Sequence, residues 1–258
     1  MSGRRRVDDP QHVRAQYADA SNLDARARLH AWYGTNERGW LAWVMDRVLA
    51  TQPDAVLDVG GGPGHLWASE GSRLRGDELL VHTDLSPGMV AQARDRTHRH
   101  CRHAVASAEA LPFASWSFDV AVANHMLYHV PDVDLGVSEL ARVLRPGGRL
   151  LASTNGSGHM QQLGRLHNKG DFSITNFSLE TGAAILARHF AHVTLDVFDD
   201  ALVVTEAQPI VDYISSMADF WVGTAREDEI KEQVARVIAD EGAFRIDKRV
   251  GLFTATST

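Results

Sequence analysis

Between Ala55 and Thr154, short apolar runs alternate with amphipathic segments, and this alternation constrains the fold most. Five of the runs are predicted strands: AVLDV (55–59), ELLVHTD (78–84), HAVAS (103–107), FDVAVAN (118–124) and GRLLAST (148–154). The segments between them, such as SPGMVAQARDRTHRH and VDLGVSELARVL, have helical spacing. Because the strands are apolar nearly throughout, both faces of their sheet must be covered, which is typical of parallel sheets. The sequence therefore predicts an α/β fold with helices on both faces.

The segments on either side of this region predict a cap. Residues 1–50 are assigned to an N-terminal helical cap segment, with helical spacing over 11–50 and a break at 34–36. The remainder, 51–258, is predicted to be the main domain. After a helix at 176–190 that begins at Ser178, strands are predicted at 192–198, 201–205 and 248–256. Two helices within about 206–243 delay the last strand, so we expect a largely helical lid insertion there.

Two helix boundaries are marked by the residue types that favour them. Ser86 is a good N-cap, and Pro87 follows it at the first helical position. The run RVLRPGGRL predicts a helix with Arg142 and Arg145 in its last turn, followed by a proline, two glycines and a strand.

Charge and composition exclude several partner classes. The 258 residues carry a formal net charge of −7, which disfavours nucleic acid because tight binding to phosphates relies on Lys and Arg. No apolar run approaches the ~18 residues that a membrane span needs, and MSGRRRVDDP is not followed by the apolar region of a secretory signal. The single cysteine, Cys101, suits a reducing compartment. We therefore expect a cytoplasmic protein that binds neither membranes nor nucleic acid.

A loop with four glycines in five residues follows the first strand, in AVLDVGGGPGHLWA. Such loops bring the backbone close to a nucleotide, because glycine lacks a Cβ and adopts unusual dihedral angles. A dinucleotide fingerprint would place its last glycine where this chain has His65, and a P-loop would end in Gly-Lys-Ser/Thr rather than Gly64-His65-Leu66. Neither pyrophosphate motif is matched, and a simple turn does not require so many glycines.

Several segments resemble one family in order and spacing. VLDVGGGPG resembles motif I of the class I S-adenosylmethionine (SAM) dependent methyltransferases, and VHTDLSPGMVAQAR resembles motif II. ASAEALPFASWSFDVAVANHMLYHVPD resembles the third and fourth motifs, and ELARVLRPGGRLLAST the region after them. The resemblance covers about 55–155 and is greatest to the UbiE/UbiG-like small-molecule group. It implies a Rossmann-like fold with a seven-stranded, mostly parallel sheet, SAM as the cofactor and S-adenosylhomocysteine (SAH) as its product.

The resemblance also implies which residues hold SAM. They are Asp58, Gly60, Gly62, Gly64, Asp84, Leu85, Ala108, Glu109, Asn124 and Tyr33. Asp84, at the tip of the second strand, could hold both ribose hydroxyls, although an acid there could also serve the helix N-terminus. Glu109 could reach the adenine amino group or be a solvated loop acid. Leu85 and Leu111 could sandwich the adenine, and Leu111 could equally be core.

The acceptor side is expected in NHMLYHVPD, just beyond the fourth strand. DNA and protein amino-methyltransferases typically have Asn/Asp-Pro-Pro-Tyr here, and this chain does not. His125, Tyr128 and His129 are the candidate bases, because a histidine near pKa 6.5 suits deprotonation of a hydroxyl. His129 could instead pack against its own helix. Two further histidines are second-rank candidates, His159 and His167.

The remaining polar and aromatic residues predict no metal site. The acidic pairs at 132/134 and 199/200 are interpreted as caps or solvated acids.

Three further polar or aromatic residues could close over the cofactor: Tyr17, Tyr33 and Asn36. An apolar stripe on the insertion suits either a lid over the acceptor or a homodimer interface, and it consists of Tyr213, Met217, Phe220 and Trp221.

These features together predict a SAM-dependent methyltransferase that acts on a small-molecule hydroxyl in specialised metabolism. N- or C-methylation stays open, because the geometry of the cap sets the acceptor atom. Two further alternatives keep the fold but not the reaction: a cyclase-type catalyst that does not transfer methyl, and a SAM-sensing binding protein.

Overall fold

The computed structural model describes residues 21–97, 101–166, 176–217 and 227–258. Its strands are β1 (Ala55–Val59), β2 (Leu79–Asp84), β3 (Cys101–Val105), β4 (Phe118–Asn124), β5 (Leu144–Asn155), β6 (His192–Phe198), β7 (Ala201–Val204), β8 (Phe244–Asp247) and β9 (Val250–Thr256). Seven of them form the central sheet in the order β3-β2-β1-β4-β5-β9-β6. Strands β1 to β5 are mutually parallel, and β9 runs antiparallel to both β5 and β6. This confirms the predicted seven-stranded, mostly parallel sheet.

The order of the sheet determines where a ligand can bind. From β1 the chain adds β2 and β3 on one side and then returns to add β4 and β5 on the other, so the strand order reverses between β1 and β4. In open α/β sheets, ligands bind in the crevice beyond the carboxyl ends of the strands at this switch. The glycine loop after β1 and the segment after β4 both start at this crevice.

Helices cover both faces of the sheet. They are α1 (Ser21–Tyr33), α2 (Trp40–Leu49), α3 (His65–Glu70), α4 (Pro87–Arg96), α5 (Val133–Val143), α6 (Gln161–Leu166), α7 (Gly182–Leu186), α8 (Gln208–Ser215) and α9 (Glu227–Glu241). The α2 and α3 side chains pack on the sheet face that includes Val56 and Val122. Those of α5 and α7 pack on the opposite face, which includes Leu57 and Ala121. Two predicted helix caps are present. Ser86 Oγ accepts a hydrogen bond from Met89 N, and Asp132 Oδ1 accepts one from Leu135 N.

A second hydrophobic core lies over the carboxyl ends of the strands and forms the cap. Its buried side chains come from helices α1, α6, α8 and α9 and from strands β7 and β8, and include Leu29, Leu163, Leu202, Ile214, Val234 and Ile246. Strands β7 and β8 pair antiparallel into a separate small sheet. The cap is therefore built from the N-terminal helix, the segment after β5 and the late insertion, and it contains a two-stranded sheet besides its helices.

Some sequence-based boundaries were wrong. The predicted helix over 176–190 is only the short α7, although Ser178 Oγ does accept from the amides of Glu180 and Thr181 at its start. Strand β8 was missed because its four residues follow a strong helical pattern. Arg145 lies in β5, beyond the end of α5, and its guanidinium pairs with Asp119. Local patterns do not report such long-range pairing.

None of the helices among the described residues is long and apolar enough to cross a membrane.

Candidate active site

One cavity of about 970 Å³ lies between the carboxyl ends of the strands and the cap. All the predicted site residues line it except Gly64 and Tyr33. Gly64 is the N-cap of α3, and Tyr33 packs against the core of the cap. Most of the predicted site residues therefore share one cavity, whereas Tyr33, which was expected to contact the cofactor, is not among the residues that line it.

The glycine loop needs glycine for two different reasons. Gly60, Gly62 and Gly64 have φ values of 63°, 58° and 79°, in the left-handed region that other residues rarely adopt. Gly61 is needed for space, because a Cβ there would lie 2.0 Å from Asp58 Oδ2 and 2.5 Å from the His82 ring. A Cβ on Gly62 would meet only Leu23, at 3.5 Å, so the backbone of this residue faces the cavity. A ligand can lie directly against this main chain.

Asp58 supports the loop through a buried hydrogen-bond group. The carboxylate is 2% exposed, and its Oδ2 accepts from Trp67 Nε1 at 2.7 Å and lies 3.0 Å from His82 Nδ1. The other ring nitrogen of His82 lies 3.1 Å from the carbonyl oxygen of Gly62. Asp58 Oδ2 is therefore held by an indole and an imidazole, and sequence analysis identified neither of these two partners.

Asp84 is held in position at the end of β2. Its Oδ2 accepts from Gly62 N at 2.9 Å and its Oδ1 from Ser86 N at 2.8 Å. Burial raises the pKa of Asp84 above its ordinary value, although these two amides oppose the rise. Because each carboxylate oxygen has a second lone pair, both oxygens can still accept from the hydroxyls of a ribose. Asp84 therefore links the glycine loop to a site that suits a diol.

The segment after β3 lines the same side of the cavity. Ala108 is buried there, and Glu109 Oε1 accepts from the amide of Asp132, at the start of α5, at 2.9 Å. Glu109 lines the cavity and also supports the start of α5, so neither of its two interpretations is excluded. Leu85 lines the cavity, whereas Leu111 is outside the lining and lies in the main core.

Asn124 has a fixed amide orientation at the end of β4. Its Oδ1 accepts from Ser153 Oγ at 2.7 Å and from Trp40 Nε1 at 3.1 Å. Two donors on the oxygen leave the NH₂ group as the part of the amide that can donate into the cavity. Trp40 packs against the core beside α2 and also lines the cavity.

The three candidate bases lie together beyond β4. His125 has a left-handed φ of 56°, and its amide donates to Ser153 Oγ at 2.9 Å. The rings of Tyr128 and His129 are 4.5 Å apart, and those of His125 and Tyr128 are 6.5 Å apart. Burial, with the nearby charge of Lys248, lowers the pKa of His125 to about 3. At neutral pH, His125 is therefore an uncharged imidazole and a weak proton acceptor.

Several polar side chains lie together on the cap side of the cavity, and sequence analysis did not predict that they would be neighbours. Lys248 and Asp200 form an ion pair whose side chains are only 6% and 5% exposed. Two histidines lie at the same side, His30 and His159, and burial lowers the pKa of each, to about 3 for His30. Asp200 had been interpreted as a cap or a solvated acid, which was wrong. Only the fold brings the turn between β8 and β9, which carries Lys248, to the loop between β6 and β7, so no local signal could have joined this pair.

The other predicted contacts are divided between the cavity and parts of the chain outside the described residues. Asn36, Tyr213 and Met217 line the cavity. Tyr17, His167, Phe220 and Trp221 lie outside the described residues. Within the described ranges, no three His, Cys, Asp or Glu side chains are grouped so that they could hold a metal ion.

Comparison with known proteins identifies the family. A family model described as a methyltransferase domain matches residues 57–152. The ubiquinone/menaquinone biosynthesis C-methyltransferase UbiE of Vibrio cholerae is 30% identical over 177 residues, which cover 66% of this chain and 67% of the relative. The malonyl-[acyl-carrier protein] O-methyltransferase of Erwinia billingiae is 37% identical over 112 residues, 43% of each chain. The chain spans about half the length of the first curated relatives it matches.

Structural comparison agrees on the fold. The crystal structure of a methyltransferase candidate from Bacillus halodurans has a TM-score of 0.61 at 19% identity and covers 84% of this chain and 99% of its own. The chain belongs to the class I SAM-dependent small-molecule methyltransferases. The site fits the family's cofactor, because the open backbone at Gly62 and the anchored carboxylate of Asp84 lie in one cavity large enough for two ligands.

Proposed function

We propose that this protein transfers the methyl group of SAM to a hydroxyl of a small molecule in specialised metabolism. The observation that carries the proposal is the single cavity, which joins Asp84 and the glycine loop to the rings of Tyr128 and His129. When bound, SAM supplies the electrophilic methyl group. The protein then has to align an acceptor and take up its proton.

The residues divide into a binding side and an acceptor side. Asp84 accepts from ribose hydroxyls, the backbone at Gly60 and Gly62 lies along the methionine part, and the Asn124 NH₂ donates to it. The cap core, which includes Leu163 and Ile214, closes the opposite wall and excludes water. Alignment and exclusion of water together supply most of the catalysis expected for an in-line transfer.

We assign proton acceptance to His129 rather than to His125. The low pKa of His125 makes it a poor base at neutral pH, because proton transfer is most efficient when the pKa of the base is near the working pH. His125 instead orders the site through its ring contact with Trp40, 5.1 Å between centroids. Tyr128 packs on His129 and orients it.

C-methylation is the second candidate, because the Vibrio cholerae relative is named as a C-methyltransferase. The Erwinia relative is named as an O-methyltransferase, so the comparisons support methyl transfer more than the acceptor atom. N-methylation and a cyclase-type reaction keep the same fold and are outcomes of the test below.

The test has two stages. Calorimetric titration with SAM, SAH and NAD in parallel should give binding of the two sulfur ligands and none of NAD. Turnover with phenols, aliphatic alcohols, amines and activated carbon acids is then followed by SAH release and by product mass and NMR. A new O-methyl signal supports the proposal. A C- or N-methyl product, or product formed without SAH release, would replace it with the corresponding alternative.

The domain organisation, the cellular location and the partners of the protein are part of the same proposal. Within a SAM-binding domain at 51–258 we assign a lid role to about 206–243, and of the predicted cap segment 1–50 we assign a cap role to α1, because its Leu29 lies in the cap core. The cap prediction does not hold for α2, whose Val44, Met45 and Val48 pack on the central sheet. The single cysteine supports a cytoplasmic location, and the net charge of −7 disfavours a nucleic-acid partner.

The stripe at Tyr213 and Met217 lines the cavity, which favours a lid over a homodimer interface. Light scattering of the purified protein measures the oligomeric state directly.

A further inference from the structure

We propose that Lys248 binds the acceptor as an oxyanion, so that the substrate class is an apolar molecule with an acidic hydroxyl, a phenol or an enol. The inference rests on the proposed function and specifies its substrate. It follows from the polar group on the cap side of the cavity: the ion pair of Lys248 with Asp200 and the imidazoles of His30 and His159.

The Lys248 ammonium is poised to accept a second anionic partner. One of its three N–H groups donates to Asp200 Oδ2, and no other hydrogen bond of the ammonium is found among the described residues, so two N–H groups can serve a ligand. Asp200 does not depend on Lys248 alone, because its Oδ1 accepts from Thr35 N at 2.9 Å and from Asn36 N at 3.0 Å. An oxyanion can therefore share the cation without leaving Asp200 unsatisfied.

The two imidazoles add neutral hydrogen-bonding groups beside this cation. His159 Nδ1 accepts from the amide of Arg249 at 3.0 Å, which assigns the ring proton to Nε2. His30 Nδ1 is buried and has no hydrogen-bond partner among the described residues. Burial and the Lys248 charge keep both rings uncharged, since both lower their pKa.

The same features favour an acidic hydroxyl. Because burial lowers the pKa of His30 and His159, neither imidazole is basic enough to deprotonate an ordinary alcohol. A phenol or enol loses its proton much more easily, and the Lys248 ammonium lowers its pKa further, by about one unit because the Asp200 carboxylate offsets part of the charge. The O–H bond breaks with its electron pair left on oxygen, and the proton passes to His129 or to solvent. That pair then forms the bond to the methyl carbon, while the electrons of the broken C–S bond stay on sulfur.

The apolar lining supplies the rest of the recognition. Met160, Leu163, Met217 and the ring of Tyr213 line the cavity next to the polar group. Such a wall suits a flat apolar or aromatic body that carries the hydroxyl at one end.

The proposal is tested with 4-nitrophenol, whose phenolate absorbs visible light and whose neutral form does not. Binding to the SAH-loaded protein, at a pH where the free phenol is mostly protonated, should increase its acid dissociation constant at least about tenfold. The neutral ether 4-nitroanisole should bind correspondingly more weakly. No binding of 4-nitrophenol, or a bound phenol that ionises as in water, overturns the proposal.

Three variants make the test specific. Lys248→Met should abolish the shift, and the double variant Asp200→Asn/Lys248→Met should do the same without leaving a buried unpaired charge. Arg249→Met is the matched control, because Arg249 is outside the cavity lining and its guanidinium lies 3.7 Å from Glu180. The control should keep the full shift. An unchanged shift in the folded double variant would also overturn the assignment of Lys248.

The two proposals can fail separately. SAH binding is measured by calorimetry on the same samples, and the phenol titration is repeated without SAH. An increased acid dissociation constant of bound 4-nitrophenol without SAH binding would contradict the methyltransferase proposal and support the oxyanion site. SAH binding and turnover without that increase would support methyl transfer and contradict the role of Lys248.

Discussion

The imidazole of His82 lies 3.0 Å from the carboxylate of Asp58, in the buried layer directly beneath the glycine loop. Both side chains are almost fully buried, at 0% and 2% exposure. The second ring nitrogen of His82 faces the carbonyl of Gly62, so both nitrogens have acceptors as neighbours. An imidazolium can donate to both acceptors, whereas a neutral ring can donate to only one. The charged form of His82 therefore connects the end of β1 to the loop that holds the cofactor.

The first prediction concerns the pH dependence of this pair. Burial by itself would lower the pKa of His82, but the hydrogen bond and the charge of Asp58 outweigh burial and raise it above its ordinary value. Because the folded pKa is raised, the stabilisation is fully present below the unfolded pKa of about 6.5 and is lost as the pH rises through the folded pKa. Urea unfolding of the wild type and of His82→Gln should differ most at mildly acidic pH.

The same pair can be tested against a control histidine. His189 is only partly buried and lies 3.1 Å from Asp134, at the far side of α5. His189→Gln should change the free energy of unfolding by less than about 1 kcal/mol, as is usual for surface ion pairs. A difference between wild type and His82→Gln that is independent of pH would show that His82 is uncharged in the folded protein.

Sequence analysis predicted those parts of the fold that depend on local patterns. Strand β1 was predicted without error, and the Ser86 cap follows from residue type and spacing. Strand β8 was missed because it is stabilised by pairing with β7, more than forty residues away along the chain. Pairing of that kind leaves no periodic signal in the segment itself.

The residues of the site also divide into those that local patterns indicate and those that only the folded chain brings together. Residues at strand ends, such as Asp84 and Asn124, could be predicted to share a cavity because parallel strands all end at one edge of the sheet. His82 and Lys248 were missed because they lie inside β2 and between β8 and β9, where a histidine or lysine carries no motif. Their roles depend on neighbours that only the folded chain provides.

A second prediction concerns space beneath the loop. Gly61→Ala places a Cβ 2.0 Å from Asp58 Oδ2, so the loop must move or the pair with His82 must break. We expect loss of measurable SAH binding and a clear drop in the melting temperature. Gly76→Ala is the control, since a Cβ there meets nothing within 4 Å and only its φ of +95° is strained. This control should cost about 1–2 kcal/mol and keep SAH affinity. Normal SAH binding by Gly61→Ala would contradict the predicted clash.

A third prediction concerns the ribose contact. Asp84→Ala removes two charge-assisted hydrogen bonds to the ligand, worth about 1.5–3 kcal/mol each, so the dissociation constant of SAH should rise at least about a hundredfold. Asp77→Ala removes the same charge from an exposed carboxylate outside the cavity and should leave the constant unchanged. Calorimetry measures both, and circular dichroism checks the fold. An unchanged constant in Asp84→Ala would remove the ribose assignment.

The last prediction separates proton transfer from packing at His129. His129→Ala should keep SAH affinity within about twofold, because the side chain lies on the acceptor side of the cavity, while turnover should fall by about 10²–10⁴, the usual contribution of a general base. The loss should shrink as the pH is raised or as more acidic phenols are used, since such acceptors need less help to ionise. Added imidazole should restore part of the rate in His129→Ala, whereas it should do nothing for His189→Gln. If His129→Ala turns over like the wild type on a weakly acidic acceptor, His129 only packs against Tyr128, and ionisation of the acceptor depends on Lys248 alone.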